Sequence, residues 1–302
     1  MDTRPSPPFV HTPYDGTSQP FTVGLKPITE ETFLEPDRYL DPYLHEKARL
    51  LAENRETVFR AEPETEAAQA EVLKTILGNL SLYHRDTHRI GPDSVGIPEA
   101  GLDISLEGEP PLLAASRLVQ EDLVLMRPGP DGYRLVAASL CFPSSWSLEE
   151  KFGQSMTGIH ENVPGFNGAR MGNMVARLFE NLKPDQLLCR YNWSLYDDPD
   201  LHHPRPKRIR AEINLGGLAQ VFIRVERQTL RRLPGSGDIL FTIKVHHDPI
   251  AELEKHEDRA RLASGLRQQL LALDTDQMAY KGVTLLRDHL AVALERLAAA
   301  AE

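Results

Sequence analysis

Residues 221–230 and 239–245, joined by Leu233-Pro234-Gly235-Ser236-Gly237-Asp238, constrain the fold more than any other part of the chain. Val221, Ile223 and Val225 alternate with Phe222, Arg224, Glu226 and Gln228. Successive side chains on a strand point to opposite faces, so the charged residues gather on one face and the β-branched ones on the other. Gly235 and Gly237 supply the turn that returns the chain into 239–245, which ends at His246-His247. A second pair of β-rich runs, 118–127 and 133–142, flanks a turn rich in Pro, Gly and Asp at 128–132. Another strand is expected over 186–195. Within 118–127, Glu121 falls on the apolar face, a costly placement unless the carboxylate is paired or the face lines a cavity.

Helical periodicity frames these strands. Leu44, Ala48, Leu51 and Val58 mark one face of a helix over 43–59, and Ala68, Val72, Ile76 and Leu80 another over 64–83. Met171, Met174, Val175, Leu178, Phe179 and Leu182 form a third stripe, and leucines every four residues make the tail from 251 helical. The expected class is α+β: an antiparallel sheet framed by N- and C-terminal helices. The expected organisation is an extended arm over 1–23, then one elaborated domain over 24–302 with a helical lead-in (43–90) and terminal helices (251–300). The first 22 residues carry five prolines, a composition that buries too little to offset its ordering entropy. Residues 93–111, rich in Gly, Pro and acids, read as irregular connection.

Composition narrows the function classes. A net charge of -10 argues against nucleic acid, whose phosphates attract basic surfaces. Two cysteines, Cys141 and Cys189, sit in apolar runs and read as buried thiols in a reducing compartment. No stretch approaches the roughly 20 apolar residues of a membrane span, and no signal pattern opens the chain. A cytoplasmic protein is expected, without membrane partners.

Candidate chemistry concentrates at 141–167, CFPSSWSLEEKFGQSMTGIHENVPGFN. Pro143 ends a strand. Ser147 and Glu150 have capping-box spacing, so a helix is expected from Leu148, with Leu148, Phe152 and Met156 on its buried edge. That helix must stop before Val163-Pro164. His160 lies in its exit, well placed to reach into a pocket, although a lone His beside apolar residues is more often a hydrogen-bonded core residue. His247 is its main rival, since it shares a face with Phe241, Ile243 and Val245. His84 and His88 would share a face on a continuing helix, but Gly91-Pro92 follows, and a solvated helix end is expected. His202-His203 and the acids Asp197, Asp198 and Asp200 read as solvated loop, without a calcium-loop ladder.

The 141–167 segment, with VQEDLVLM (119–126), NWSLYDDPDL (192–201) and RVERQTLRRLPGSGDILFTI (224–243), resembles the α-subunit family of haem-dependent oxidative N-demethylases, over about 24–282. The resemblance implies a PAS-like sheet that binds haem b and oxidatively removes a methyl group from a small secondary amine such as dimethylamine. It implies His160 as the axial iron ligand, with His247 the alternative. Arg224, Arg227, Lys151 and Trp146 would flank the cofactor, because haem propionates need cationic partners. Glu226 or Glu121 would hold the amine's charge. No GxGxxG after a strand and no cysteine quartet supplies electrons here. O2 chemistry would therefore rely on a partner reductase, NADPH-driven and carrying FMN and an iron-sulfur cluster. Two other readings stay open: a haem-PAS gas or redox sensor, and a non-haem small-molecule binding module.

Overall fold

The hairpin around Gly235 and Gly237 is the centre of an antiparallel sheet. The structure is a computed structural model that describes residues 8–167, 170–207 and 217–299; residues 1–7 of the expected arm and 300–302 of the C-terminal region lie outside the described residues. In chain order the strands are β1 (Lys26–Pro27), β2 (Phe59–Ala61), β3 (Arg89–Ile90), β4 (Ser94–Ile97), β5 (Leu102–Ser105), β6 (Asp122–Gly129), β7 (Gly132–Ser139), β8 (Leu187–Tyr196), β9 (Phe222–Arg232) and β10 (Ile239–Pro249). The helices are α1 (Leu40–Val58), α2 (Glu66–Tyr83), α3 (Pro111–Ser116), α4 (Leu148–Lys151), α5 (Met156–Ile159), α6 (Arg170–Asn181), α7 (Arg259–Leu271), α8 (Thr275–Tyr280) and α9 (Arg287–Ala299). Seven strands form one sheet in the order β1-β8-β9-β10-β6-β7-β2, with β3-β4-β5 a small separate sheet. The chain is an α+β protein, as its two hairpin signals require.

Register assigns the faces. Arg224 stands opposite His247 and Ser194, Glu226 opposite Val245 and Asn192, and Gln228 opposite Ile243 and Arg190. These residues share one face, and along it Leu230, Ile243, Val124 and Met126 pack against Leu148, Phe179 and Leu182 of the α4–α6 region. On the other face, Ile223, Val225 and Trp193 meet Leu262, Leu266, Leu290 and Leu294 of α7 and α9, while Leu123, Leu125 and Leu240 meet Val72, Ile76 and Leu80 of α2. Each such leucine, wholly withdrawn from water, contributes about 1.5–3 kcal/mol. Helices thus cover both faces, so charge on the Glu226 face is buried charge.

Several elements depart from the sequence expectation, each for a local reason. The strand expected from residue 118 begins at Asp122, because the buried Lys47 ammonium takes the carbonyls of Ser116, Val119 and Glu121 that a ladder would have used. The next strand stops at Ser139, because the Asp122 carboxylate accepts from the backbone N–H groups of Cys141 and Phe142 at 2.8 Å each. The helix expected from Leu148 is two single turns, α4 and α5. Between them Gly153 adopts φ 77°, and its N–H donates to Leu135 of β7 at 2.9 Å. Residues 93–111 are not irregular throughout, since they contain β4 and β5. The N-terminal segment buries more than its composition suggests: Phe9 and Tyr14 are core residues against α7.

Candidate functional site

His160 is delivered by α5, a single turn capped by Ser155, whose hydroxyl accepts from the Gly158 N–H at 3.4 Å. Its Nδ1 lies 2.9 Å from the Met156 carbonyl oxygen. A carbonyl only accepts, so the proton is on Nδ1 and the outer Nε2 carries a lone pair. The ring stacks on Phe166 at 4.1 Å and 12°, which fixes its plane. Burial, with the cations of Arg190 and Lys151 nearby, pulls the His160 pKa below its ordinary value and keeps the ring neutral at pH 7. A neutral, oriented imidazole with its inner N–H tied to a carbonyl is the usual arrangement of a metal-binding histidine.

Two clefts flank this segment. One, of about 450 Å³, is lined by Tyr133, Met156, Thr157, Phe166, Asn167 and Phe179. The other, of about 520 Å³, is lined by Glu161, Val163, Pro164, Asn167, Asp276 and Tyr280. Both fall in the size range of cofactor and ligand sites, and they meet at Asn167.

Beside the second cleft lies a cation-rich cluster that sequence reasoning missed. Glu226 Oε2 accepts from Asn192 at 3.2 Å and Gln228 at 3.0 Å, and the charges of Arg190, Lys207 and Lys281 act on the same carboxylate. Tyr280, which lines the cleft, is also within the field of Glu226 and Arg190. Lys207 rests over the Tyr196 ring at 4.1 Å, and its buried Nζ has no hydrogen-bond partner; Arg190 Nε is likewise buried and unpartnered. Burial, then repulsion from Lys281 and Arg224, holds the Lys207 pKa well below its ordinary value. Burial brings Lys281 down to about 7, while its Nζ donates to the Trp193 carbonyl at 2.5 Å. Three basic side chains thus surround one carboxylate. Arg190 could have been found from the alternation of β8, which puts it on the Glu226 face. Lys207 and Lys281 carry no sequence signal, since each arrives from a loop.

The residues singled out from sequence divide between the two faces. Lys151 lies near His160, its Nζ 2.8 Å from Glu150, and Trp146 packs into the same apolar cluster. Arg224 is on this face, but its guanidinium donates to the carbonyls of Phe142, Pro143 and Leu201 and to Ser144 Oγ, so it clamps the loops beside the sheet. Arg227 and Glu121 lie elsewhere. The strand alternation turns Arg227 to the opposite face, where its Nε is 2.9 Å from Glu35 Oε1, and Glu121 Oε1 accepts from the Glu35 N–H at 3.2 Å. Neither is brought together with His160. His247 donates from Nε2 to the Asp198 carbonyl at 2.8 Å and stacks on Phe222 at 5.0 Å; its remaining Nδ1 is sealed from solvent. Burial and the adjacent Arg224 push its pKa down to about 3. His88 is not solvated: it is buried, and its Nε2 donates to the Leu118 carbonyl at 2.8 Å. His202 bonds the Cys141 carbonyl and His203 the Asp198 carboxylate, so the two rings diverge.

Among the described residues no helix is long and apolar enough to cross a membrane. Residues 24–291 span both hairpins, the His160 segment and the strand that carries Glu226. They match the family described as haem-dependent oxidative N-demethylase, alpha subunit-like, and the chain belongs to that family.

Proposed function

We propose that this chain binds haem b through His160 Nε2 and serves as the catalytic subunit for oxidative N-demethylation of a small secondary amine such as dimethylamine. The observation that carries the reading is the hydrogen bond from His160 Nδ1 to the Met156 carbonyl, which leaves the outer nitrogen for iron. The donor set fits the cofactor: a neutral imidazole for the metal, and two buried donor atoms without a hydrogen-bond partner, Lys207 Nζ and Arg190 Nε, for its two carboxylates. When bound, haem would supply the O2 chemistry. The protein's share is placement. Phe166 holds the His160 plane, and Trp146 and Lys151 close the same apolar region. Glu226, once the surrounding cations are engaged by the haem carboxylates, is the group to hold the substrate ammonium and orient its methyl C–H.

The overall reaction balances as secondary amine, O2, two electrons and two protons giving primary amine, formaldehyde and water. The electrons come from a partner reductase driven by NADPH through FMN and an iron-sulfur cluster. A PAS-like character of the sheet belongs to the same reading. The test is formaldehyde release from dimethylamine by haem-loaded protein with NADPH and a suitable reductase, against a reductase-free control. Glu226→Gln should lower turnover by roughly a hundredfold, the usual worth of a positioned acid or base, while sparing the visible spectrum. A haem protein that is reduced and binds O2, yet releases no formaldehyde from any small methylamine, would be a sensor instead.

A further inference from the structure

On the sheet face opposite His160, three side chains from three separate segments converge. His11 comes from the N-terminal segment, Glu35 from the turn before α1 and His246 from β10. One donor atom from each lies within 4.8 Å of the others. Glu35 Oε2 is 2.8 Å from His11 Nε2 and 3.9 Å from His246 Nε2, and the imidazole rings stand edge to face at 4.9 Å. The His246 side chain is 10% exposed, and its Nε2 is buried with no hydrogen-bond partner. A donor aimed at two potential ligands yet bonded to neither is left unsatisfied by the protein alone.

From this juxtaposition of His11, Glu35 and His246 we infer a second metal site, distinct from haem, that takes a divalent transition-metal ion of the zinc class. Two imidazoles and one carboxylate form an N/O set that such ions favour, with a fourth position left for water. Bonds of about 2.0–2.2 Å put tetrahedral ligand atoms roughly 3.3–3.5 Å apart, so the 2.8 Å pair has to open and the 3.9 Å pair to close, each by well under 1 Å. The surroundings orient the carboxylate. Arg227 Nε sits 2.9 Å from Glu35 Oε1, which leaves Oε2 for the ion, and Lys244 is balanced by Asp37 at 2.7 Å. Tyr191 packs its ring on His11 at 4.7 Å and limits the motion of that ligand. His11 lies outside the family match at 24–291, so the ion would fasten this N-terminal segment to the sheet.

The test is equilibrium dialysis of full-length protein against Zn2+, with metal counted per chain by elemental analysis and docking of the N-terminal segment followed by limited proteolysis. The expected result is one zinc per chain and slower cleavage within residues 8–22 when zinc is present. His11→Ala and Glu35→Gln should each weaken zinc binding at least tenfold, whereas His45→Ala, which removes an exposed His–Asp pair at 2.6 Å, should leave it unchanged. His11 is on the N-terminal segment and not in the sheet, so its replacement reads out the site even if a substitution at His246 fails to fold. Absence of stoichiometric zinc, or zinc binding unaltered by His11→Ala, overturns the inference.

Discussion

The inner nitrogen of His160 donates to the carbonyl of Met156, one helical turn earlier, and so holds the ring in the tautomer whose outer nitrogen can bind a metal. His247 has the reverse arrangement. Its outer nitrogen is spent on the Asp198 carbonyl, and its inner one is buried without a partner while the ring stacks on Phe222. A macrocycle reaches an outer nitrogen far more easily than one next to the main chain. His160→Ala is therefore expected to abolish the Soret band of the haem-reconstituted protein, and His247→Ala to leave it in place. The visible spectra of the two variants decide between them, and loss of haem with His247→Ala alone would reverse the assignment.

Lys207 and Arg224 make opposite predictions although both are buried basic side chains on the same face. Lys207 Nζ has no partner, so Lys207→Met should stabilise the haem-free protein by about 1–3 kcal/mol, the desolvation cost of a buried polar group left unsatisfied. If its partner is a haem carboxylate, the same change weakens haem binding by roughly tenfold to a hundredfold, equivalent to about 1.5–3 kcal/mol for a hydrogen bond to a charged group. Arg224 already serves the carbonyls of Phe142, Pro143 and Leu201. Arg224→Ala leaves these unsatisfied and should destabilise the haem-free protein by about 1–3 kcal/mol or more. Denaturant titration of both haem-free variants, then haem titration of each, separates a cofactor cation from a structural one.

Much of the sheet was legible because alternation is a local signal. The run from Val221 to Gln228 puts Arg224 and Glu226 on one face and Val225 on the other, and the register bears this out. The same rule separates Arg227 from Glu226, so grouping Arg227 with the cofactor candidates ran against the strand's own periodicity. What sequence could not show depends on partners remote along the chain. Lys47 redirects residues 116–121 from about 70 positions away, and Asp122 takes the N–H groups that would have extended β7. Lys207 and Lys281 reach Glu226 only through tertiary packing. The helix after Ser147 divides because Gly153 and Gln154 pair with Leu135, a competition between helix and strand edge that periodicity does not register.

Lys281 makes stability depend on pH. Its folded-state pKa of about 7 lies below its ordinary 10.5, so between these values the unfolded chain binds more protons than the folded one. Stability then rises with pH through this window, and the contribution is complete above about 10.5 and lost as pH falls through about 7. The slope for one such group approaches about 1.4 kcal/mol per pH unit. The haem-free protein should gain stability from pH 7 to 9.5 relative to Lys281→Met, which lacks the titration. Parallel pH profiles for the two proteins would mean that Lys281 stays charged in the folded state.

The N-terminal segment is seated through α7, and Gly265 is the point of closest approach. A Cβ at this position would lie 2.3 Å from the Asp15 carbonyl carbon and 2.7 Å from its Cα, distances that only a backbone shift relieves. Around this contact, Gln269 donates to the carbonyls of Pro13 and Ser18 and accepts from the Trp193 indole at 2.7 Å, and Arg261 pairs with Asp15 at 2.9 Å. One face of α7 thus holds the segment and the sheet together. Alanine is a better helix former than glycine by about 1 kcal/mol, so Gly265→Ala favours α7 itself. Steric exclusion of Asp15 outweighs that gain: overpacking of this kind costs about 1–3 kcal/mol, and displacement exposes Phe9 and Tyr14 as well. Gly265→Ala should therefore leave the helical circular-dichroism signal intact while residues 8–22 become open to protease. Unchanged protection of that segment would mean that α7 and Asp15 move apart at little cost and that Gln269, not close packing at Gly265, holds the contact.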